Sequence, residues 1–391
     1  MTVTIHDFAE AAGHVDVIGS GIEAITCKGK GVTKSGQDLT ADLDDCLPSA
    51  VAITALKYCS DTDEIRVTVK DKSVPLPVSA TLKKTDCASV SNGLDEMWTE
   101  FKSVHSVNGD ETERKAIFAD NVKKAVEHNR KETGSYMGLE GPFAAMTLDE
   151  FQSMNIRGFK SAKDQGLPDL GMHEEDSSVV AATIDWTTKG AVTPVKNQGQ
   201  CGSCWAFSTT GGLEGSWQLA TGNLVSMSEQ QFVDCDTGSA GCNGGSMEGA
   251  FSWAKSTSVA TESSYAYTAR DGSCKSSFSS AIPSGGVTGY KRVSGSASGL
   301  TSALQQSPVS VAIEADQSVF QMYSSGVITS GCGTSLDHGV LAVGVNSDGS
   351  IKVKNSWGSS WGANGFVNIA TSQCGITSDA SYPVVSGSVS V

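Results

Sequence analysis

The run Gln198-Gly199-Gln200-Cys201-Gly202-Ser203-Cys204-Trp205 constrains this chain more than any other feature, because Asp337-His338-Gly339 and Asn355-Ser356-Trp357 stand far downstream of it. A thiol, an imidazole and a side-chain amide are the parts of a nucleophile, its base and the group that orients the base. The cysteines sharpen this. There are 11, with Cys27, Cys46, Cys59 and Cys87 in the N-terminal part and seven from Cys201 onward. Seven is three pairs and one left over, and a leftover thiol among paired cysteines is a candidate nucleophile. Disulfide density points to an oxidising, secretory route. The alternative, Cys201 and Cys204 as a zinc or redox pair, would need a second tight Cys/His cluster or a flanking βαβ unit.

The first motif, with the His and Asn about 130 to 150 residues further on, resembles the signature of papain-like cysteine peptidases. The likeness resumes at Thr183-Ile184-Asp185-Trp186 and Gly190-Ala191-Val192 and runs to the end, over half the chain. It implies an α+β, two-lobed fold. A helical left lobe would carry a helix starting near Ser203, and a β-barrel right lobe from about Gly286 would supply His338 and Asn355. It also implies the pairs Cys201 with Cys242, Cys235 with Cys274 and Cys332 with Cys374, leaving Cys204 free.

By the same resemblance Cys204 attacks a peptide carbonyl, with its thiol acidified by a helix N-terminus and an imidazolium. His338, the only histidine after His173, would protonate the leaving amine and then activate water. Asn355 would orient the ring under the cover of Trp357, while Gln198 and the backbone N–H of Cys204 would form the oxyanion hole. Gly244 and Gly245 would lend backbone to an extended substrate, although a bare glycine cluster is equally a turn. The implied selective pocket is walled by Met247, Ala312, Leu336 and Gly339. Asp379 stands at its far end or turned out to solvent. Asp337 and Trp361 complete the substrate-binding set, Trp361 on the leaving-group side. No metal or cofactor is called for. No histidine lies between Cys242 and His338, which is unlike cathepsin B and in keeping with a cathepsin L-like endopeptidase.

The N-terminal part divides in two. Residues 1–90 read as a small α+β module of no recognised family, with alternation over Ile65-Arg66-Val67-Thr68-Val69-Lys70 and a helix expected over Leu47 to Tyr58. Residues 94–160 are charged and helical in period. Arg114, Phe118, Asn121, Ala125 and Asn129 share one helix face, after Trp98 and Phe101. This resembles the inhibitory pro-segment of cathepsin L-like zymogens, with Asp110 where the family usually has Glu, Ala125 in place of Ile and Ala145 in place of Asp. Residues 161–181 read as an exposed, cleavable linker, and 182–391 as the peptidase domain.

The net charge of −15 argues against a nucleic-acid partner. No apolar run is long enough to span a bilayer, and Met1 to Ser20 lacks the pattern of a signal peptide, so a leader is missing or export is unconventional. The implied partners are protein or peptide substrates and the chain's own pro-segment, in a monomer of lysosomal, vacuolar or extracellular location. Two rival readings remain open: a catalytically silent homologue, and a binding role for residues 1–90.

Overall fold

A computed structural model describes residues 93–386, apart from 132, 155–156, 163–165, 167–169 and 176–181, together with the backbone of eight strands within residues 2–83. These strands form an antiparallel three-stranded sheet (Thr2–His6, His14–Ile18, Ile25–Lys28) and a five-stranded one from Lys30–Ser35 to Val78–Lys83. The helix expected over Leu47 to Tyr58 is instead a strand, Val51–Cys59, paired from Val51↔Asp71 to Cys59↔Glu64. An apolar run this short does not distinguish helix from strand by period, and β-branched Val51, Ile53 and Thr54 favour the sheet. Its partner Glu64–Asp71 contains the alternating Ile65–Lys70 run. Only strands occur among the described residues before 84, where an α+β module was expected. Cys46 and Cys87 lie outside the described residues.

The chain divides into two compact units, 1–132 with 136–146, and 133–135 with 147–391. In the first, α1 (Gly93–Val104) and α2 (Glu111–Arg130) meet through Trp98 and Phe101, which lie 5.4 and 5.2 Å from the ring of Phe118. Asp110 is the N-cap of α2 and accepts from Glu113 N at 3.0 Å. A short carboxylate suits that role. Phe118, Asn121, Ala125 and Asn129 are all buried. The Asn121 amide donates to the carbonyls of Ala144 and Met146, and Asn129 both donates to and accepts from the Met137 backbone. Polar residues can be buried on this face because each is hydrogen-bonded to backbone there.

In the second unit, α3 (Leu148–Ser153) starts with a capping box between Thr147 and Glu150. The helical lobe holds α4 (Cys204–Thr221), α5 (Glu229–Cys235) and α6 (Met247–Ala254). The β lobe is built from β1 (Ile184–Asp185), β2 (Val287–Arg292), β3 (Val309–Ile313), β4 (Tyr323–Ile328), β5 (His338–Val345), β6 (Ile351–Lys354), β7 (Phe366–Ile369) and β8 (Ala380–Val385). The strands run in the order β2-β8-β3-β5-β6-β7-β4, with β1 on β5. Helix α4 is buried along most of its length and contacts β5 and β8. A Cβ on Gly211 would lie 2.8 Å from Leu341 and one on Gly215 2.7 Å from Pro308, so these glycines, unfavourable in a helix by propensity, let α4 reach the sheet. All three expected disulfides are formed: Cys201–Cys242, Cys235–Cys274 and Cys332–Cys374.

Part of the linker is seated on the β lobe. Leu170 N donates to Tyr290 O, Arg292 N to Gly171 O and His173 N to Arg292 O, so residues 170–173 extend the edge at β2. His173 is buried between the Tyr382 hydroxyl and Ser302 Oγ, each 3.0 Å from a ring nitrogen. Burial and Lys291 lower its pKa below 6.5, against Glu175 and Glu174, which raise it. A seated histidine that resists protonation makes seating weaken as pH falls from about 6.5 towards the depressed value. Amide exchange at residues 170–175, corrected for its intrinsic pH dependence, is expected to quicken over that interval, and a His173→Gln chain is expected to lose the pH response. Protection that strengthens on acidification would refute this.

Candidate active site

Cys204 is the first residue of α4, with Ser203 as N-cap, and its thiol is buried and outside any disulfide. The open end of the helix directs backbone N–H groups and positive potential at this position. His338 begins β5, and the adjacent Gly339 N–H donates to Cys204 Sγ at 3.3 Å. Asn355 follows the last residue of β6. Its Oδ1 is 2.8 Å from His338 Nε2 and accepts from Ser356 N at 2.8 Å. A backbone N–H must meet an acceptor, which orients the amide. Nε2 therefore carries the imidazole proton, and Nδ1 presents a lone pair. Nδ1 is buried with no hydrogen-bond partner among the described residues. Trp357 stacks on the ring at 4.8 Å.

Gln198 is fully buried beside this group. Its N–H donates to Ser356 O, its Nε2 to Cys201 O at 2.9 Å, and its Oε1 accepts from Ser356 Oγ at 2.6 Å. Cys204, His338, Asn355, Gln198 and Trp357 are thus brought into one place from α4, β5 and the loops that lead into α4 and out of β6.

A short extended segment, residues 157–161, lies over the thiol. Gly158 N donates to Cys204 Sγ at 3.1 Å. Gly245 N donates to Gly158 O, Lys160 N to Gly245 O and Phe159 N to Asp337 O, at 2.8 to 3.0 Å. Gly245 is therefore a backbone pairing site, and Asp337 supplies the opposite wall. Arg157 holds the upstream end, its Nε 3.0 Å from Asp337 Oδ2 and its guanidinium over the Phe151 ring. Phe151 in turn meets Trp357 edge-on at 5.7 Å. What faces the thiol is the amide N–H of Gly158.

This cover sets the electrostatics. Burial pushes the Cys204 thiol up to about 11 despite backbone N–H donation from Gly339 and Gly158, and Asp337 adds to the rise. Burial pushes His338 down to about 3, opposed by its bond to Asn355 and assisted by Arg157. The sequence led us to expect an acidified thiol beside an imidazolium; in the covered state burial shifts both groups towards their neutral forms. Asp337 is pushed up to about 7, again by burial, against Ala315 N–H and Arg157.

Residues 180–384 match the papain family of cysteine proteases. The chain belongs to that family. The protease is 39% identical over 355 residues to the thiol protease SEN102 of Hemerocallis sp., covering 86% of this chain and 94% of the relative. It is 44% identical over 309 residues to digestive cysteine proteinase 1 of Homarus americanus, covering 74% and 94%. Among solved structures, it resembles digestive procathepsin L 3 of Tenebrio molitor with a TM-score of 0.66 at 37% identity, covering 75% of this chain and 99% of that one. The proform of the ragweed pollen allergen Amb a 11 gives a TM-score of 0.68 at 33% identity, covering 75% and 95%.

The other expected site residues of the protease are placed as follows. Met247 and Ala312 are buried in one apolar cluster, against which Leu336 and Phe159 pack. A Cβ on Gly339 would approach Met247 Sδ to 3.0 Å. Asp379 is buried and accepts from Ser161 Oγ at 2.8 Å, so its carboxylate is turned inward towards the covering segment. Trp361 is fully buried among Phe320, Tyr323 and Trp357. Arg157, Gly158 and Ser161 were not singled out in the sequence. A glycine flanked by Arg157 and Phe159 carries no local sign of the backbone that it must approach.

Proposed function

We propose that the protein is a thiol endopeptidase acting through Cys204, His338 and Asn355, made as a zymogen in which residues 94–160 form the pro-segment, and activated by a cut within 161–181. The observation that carries this reading is the pairing of residues 158–160 with Gly245 and Asp337 directly over Cys204 Sγ, as an extended polypeptide would pair. Once that segment leaves, water returns to the site and desolvation of the thiolate and imidazolium is relieved. His338 Nδ1 takes the thiol proton, and the sulfur attacks the substrate carbonyl. The oxyanion is met by Cys204 N–H and the Gln198 amide. His338 passes its proton to the leaving amine, releasing the first product, and then draws a proton from water, which frees the acyl group. Asn355 holds the ring through Nε2–H throughout. The three disulfides suit a secretory destination, lysosomal, vacuolar or extracellular.

Peptide hydrolysis at mildly acidic pH tests the reading. The cut chain is expected to hydrolyse internal bonds and to lose all activity to a thiol-reactive epoxide, with the adduct on Cys204 by mass mapping. An adduct on Cys201, or full activity of the uncut chain, would sink it.

The apolar wall of Met247, Ala312 and Leu336 suits Leu or Phe at the second position before the cut bond. Asp379 adds a place for Arg. Asp379→Ala is expected to lower turnover of an Arg-Arg substrate relative to a Phe-Arg one by about tenfold, the scale of a hydrogen bond to a charged group. An unchanged ratio would remove Asp379 from the pocket.

A further inference from the structure

Tyr267 belongs to none of the groups assigned above, yet its hydroxyl is 2.8 Å from Gln198 O and 2.6 Å from Ser203 Oγ. A carbonyl only accepts, so the single phenolic proton goes to Gln198, and Ser203 must donate to the phenol oxygen. The other acceptor in reach of Ser203 Oγ, Cys201 O, is at 3.5 Å. The phenol ring is held edge-on to Phe207 at 4.9 Å, and Tyr267 N donates to Glu262 Oε1 at 3.0 Å. One hydroxyl therefore ties the loop of Gln198 to the N-cap of α4. The N–H and side chain of Gln198 are bound from the other lobe by Ser356. Its carbonyl accepts from Tyr267.

We propose that Tyr267 is a positioning residue, which fixes the Gln198 side-chain amide and the Cys204 backbone N–H relative to each other as one oxyanion site. The inference rests on the oxyanion role given to those two donors above. Donors of this kind act through preorganisation, and a small displacement is costly because charge develops on the oxygen only at the transition state. Burial raises the pKa of Tyr267, so the hydroxyl keeps its proton across the working range.

The test is Tyr267→Phe in the full chain, assayed after activation. The variant keeps the ring and removes only the two hydrogen bonds. We expect kcat for peptide hydrolysis to fall about tenfold with KM changed less than about twofold. Alkylation of Cys204 by iodoacetamide uses the same thiol and imidazole but builds no oxyanion, so its rate is expected to stay within about twofold. Combining Tyr267→Phe with Gln198→Ala is expected to add little to Gln198→Ala alone, since one acts through the other. An unchanged kcat, an alkylation rate that falls in step with kcat, or fully additive losses would each overturn the proposal. If Tyr267→Phe does not fold, Ser203→Ala removes the donor to the phenol and is expected to lower kcat with alkylation unchanged; no change in kcat would count against the proposal. Failure of Cys204 to be alkylated in the parent enzyme would instead refute the thiol-peptidase reading itself, so the two failures are distinguishable.

Discussion

Cys204→Ala in the activated enzyme is expected to lower peptide hydrolysis by at least about 10^4-fold, the scale seen when the nucleophile of such a unit is removed. No other cysteine of the peptidase domain can replace the sulfur. The other cysteines from Cys201 onward are all paired. The fold should survive, since the change deletes one buried atom, whose N–H donors in the peptidase domain include Gly339. Hydrolysis and thermal melting of parent and variant, measured together, check both halves. Epoxide-sensitive activity that persists in Cys204→Ala would place the nucleophile elsewhere.

Gly158→Ala is expected to do the opposite to the uncut chain and switch latency off. A Cβ at residue 158 would lie 1.9 Å from Gly202 O and 2.6 Å from its carbonyl carbon. Those atoms cannot retreat easily, because Gly202 follows Cys201 of the Cys201–Cys242 disulfide and donates its own N–H to Cys242 O. The covering segment must lift instead. It then loses the backbone bonds to Sγ, Gly245 and Asp337, each contributing about 0.5–1.5 kcal/mol net. Together these amount to about 2–6 kcal/mol, or roughly 30- to 30,000-fold in the population of the open site. The uncut variant should label at Cys204 with an epoxide at a rate raised by a factor in that range. A second effect acts in the same direction, since uncovering the thiol relieves the burial that holds it at about 11. Labelling as slow as in the parent uncut chain would show that residues 157–161 are not what closes the site.

Much of the site was legible because its chemistry is carried by residue types in fixed local runs. Cys204 with Trp205, His338 with Gly339 and Asn355 with Trp357 each identify themselves by their neighbours. The N-terminal strand Val51–Cys59 was misread as a helix for the converse reason: no local signal separates the two conformations in a short apolar run, and pairing with Glu64–Asp71 decides it. The buried face of α2 lay in between. Its spacing showed which residues point one way, while the carbonyls that Asn121 and Asn129 satisfy belong to Met137, Ala144 and Met146, which spacing does not locate.

By itself, then, the sequence determined the family, a candidate nucleophile with a candidate base and orienting amide, the odd thiol, and a helical segment ahead of the peptidase domain. These follow from side-chain chemistry, charge and periodicity, which are local properties. Only the tertiary structure decided the direction in which burial shifts the thiol and the imidazole, the inward turn of Asp379, the need for glycine at residue 158 and the bridge made by Tyr267. Each depends on burial or on an approach within hydrogen-bond distance between residues far apart in the chain. Desolvation and close packing are properties of the folded surroundings, and no single stretch of sequence contains them.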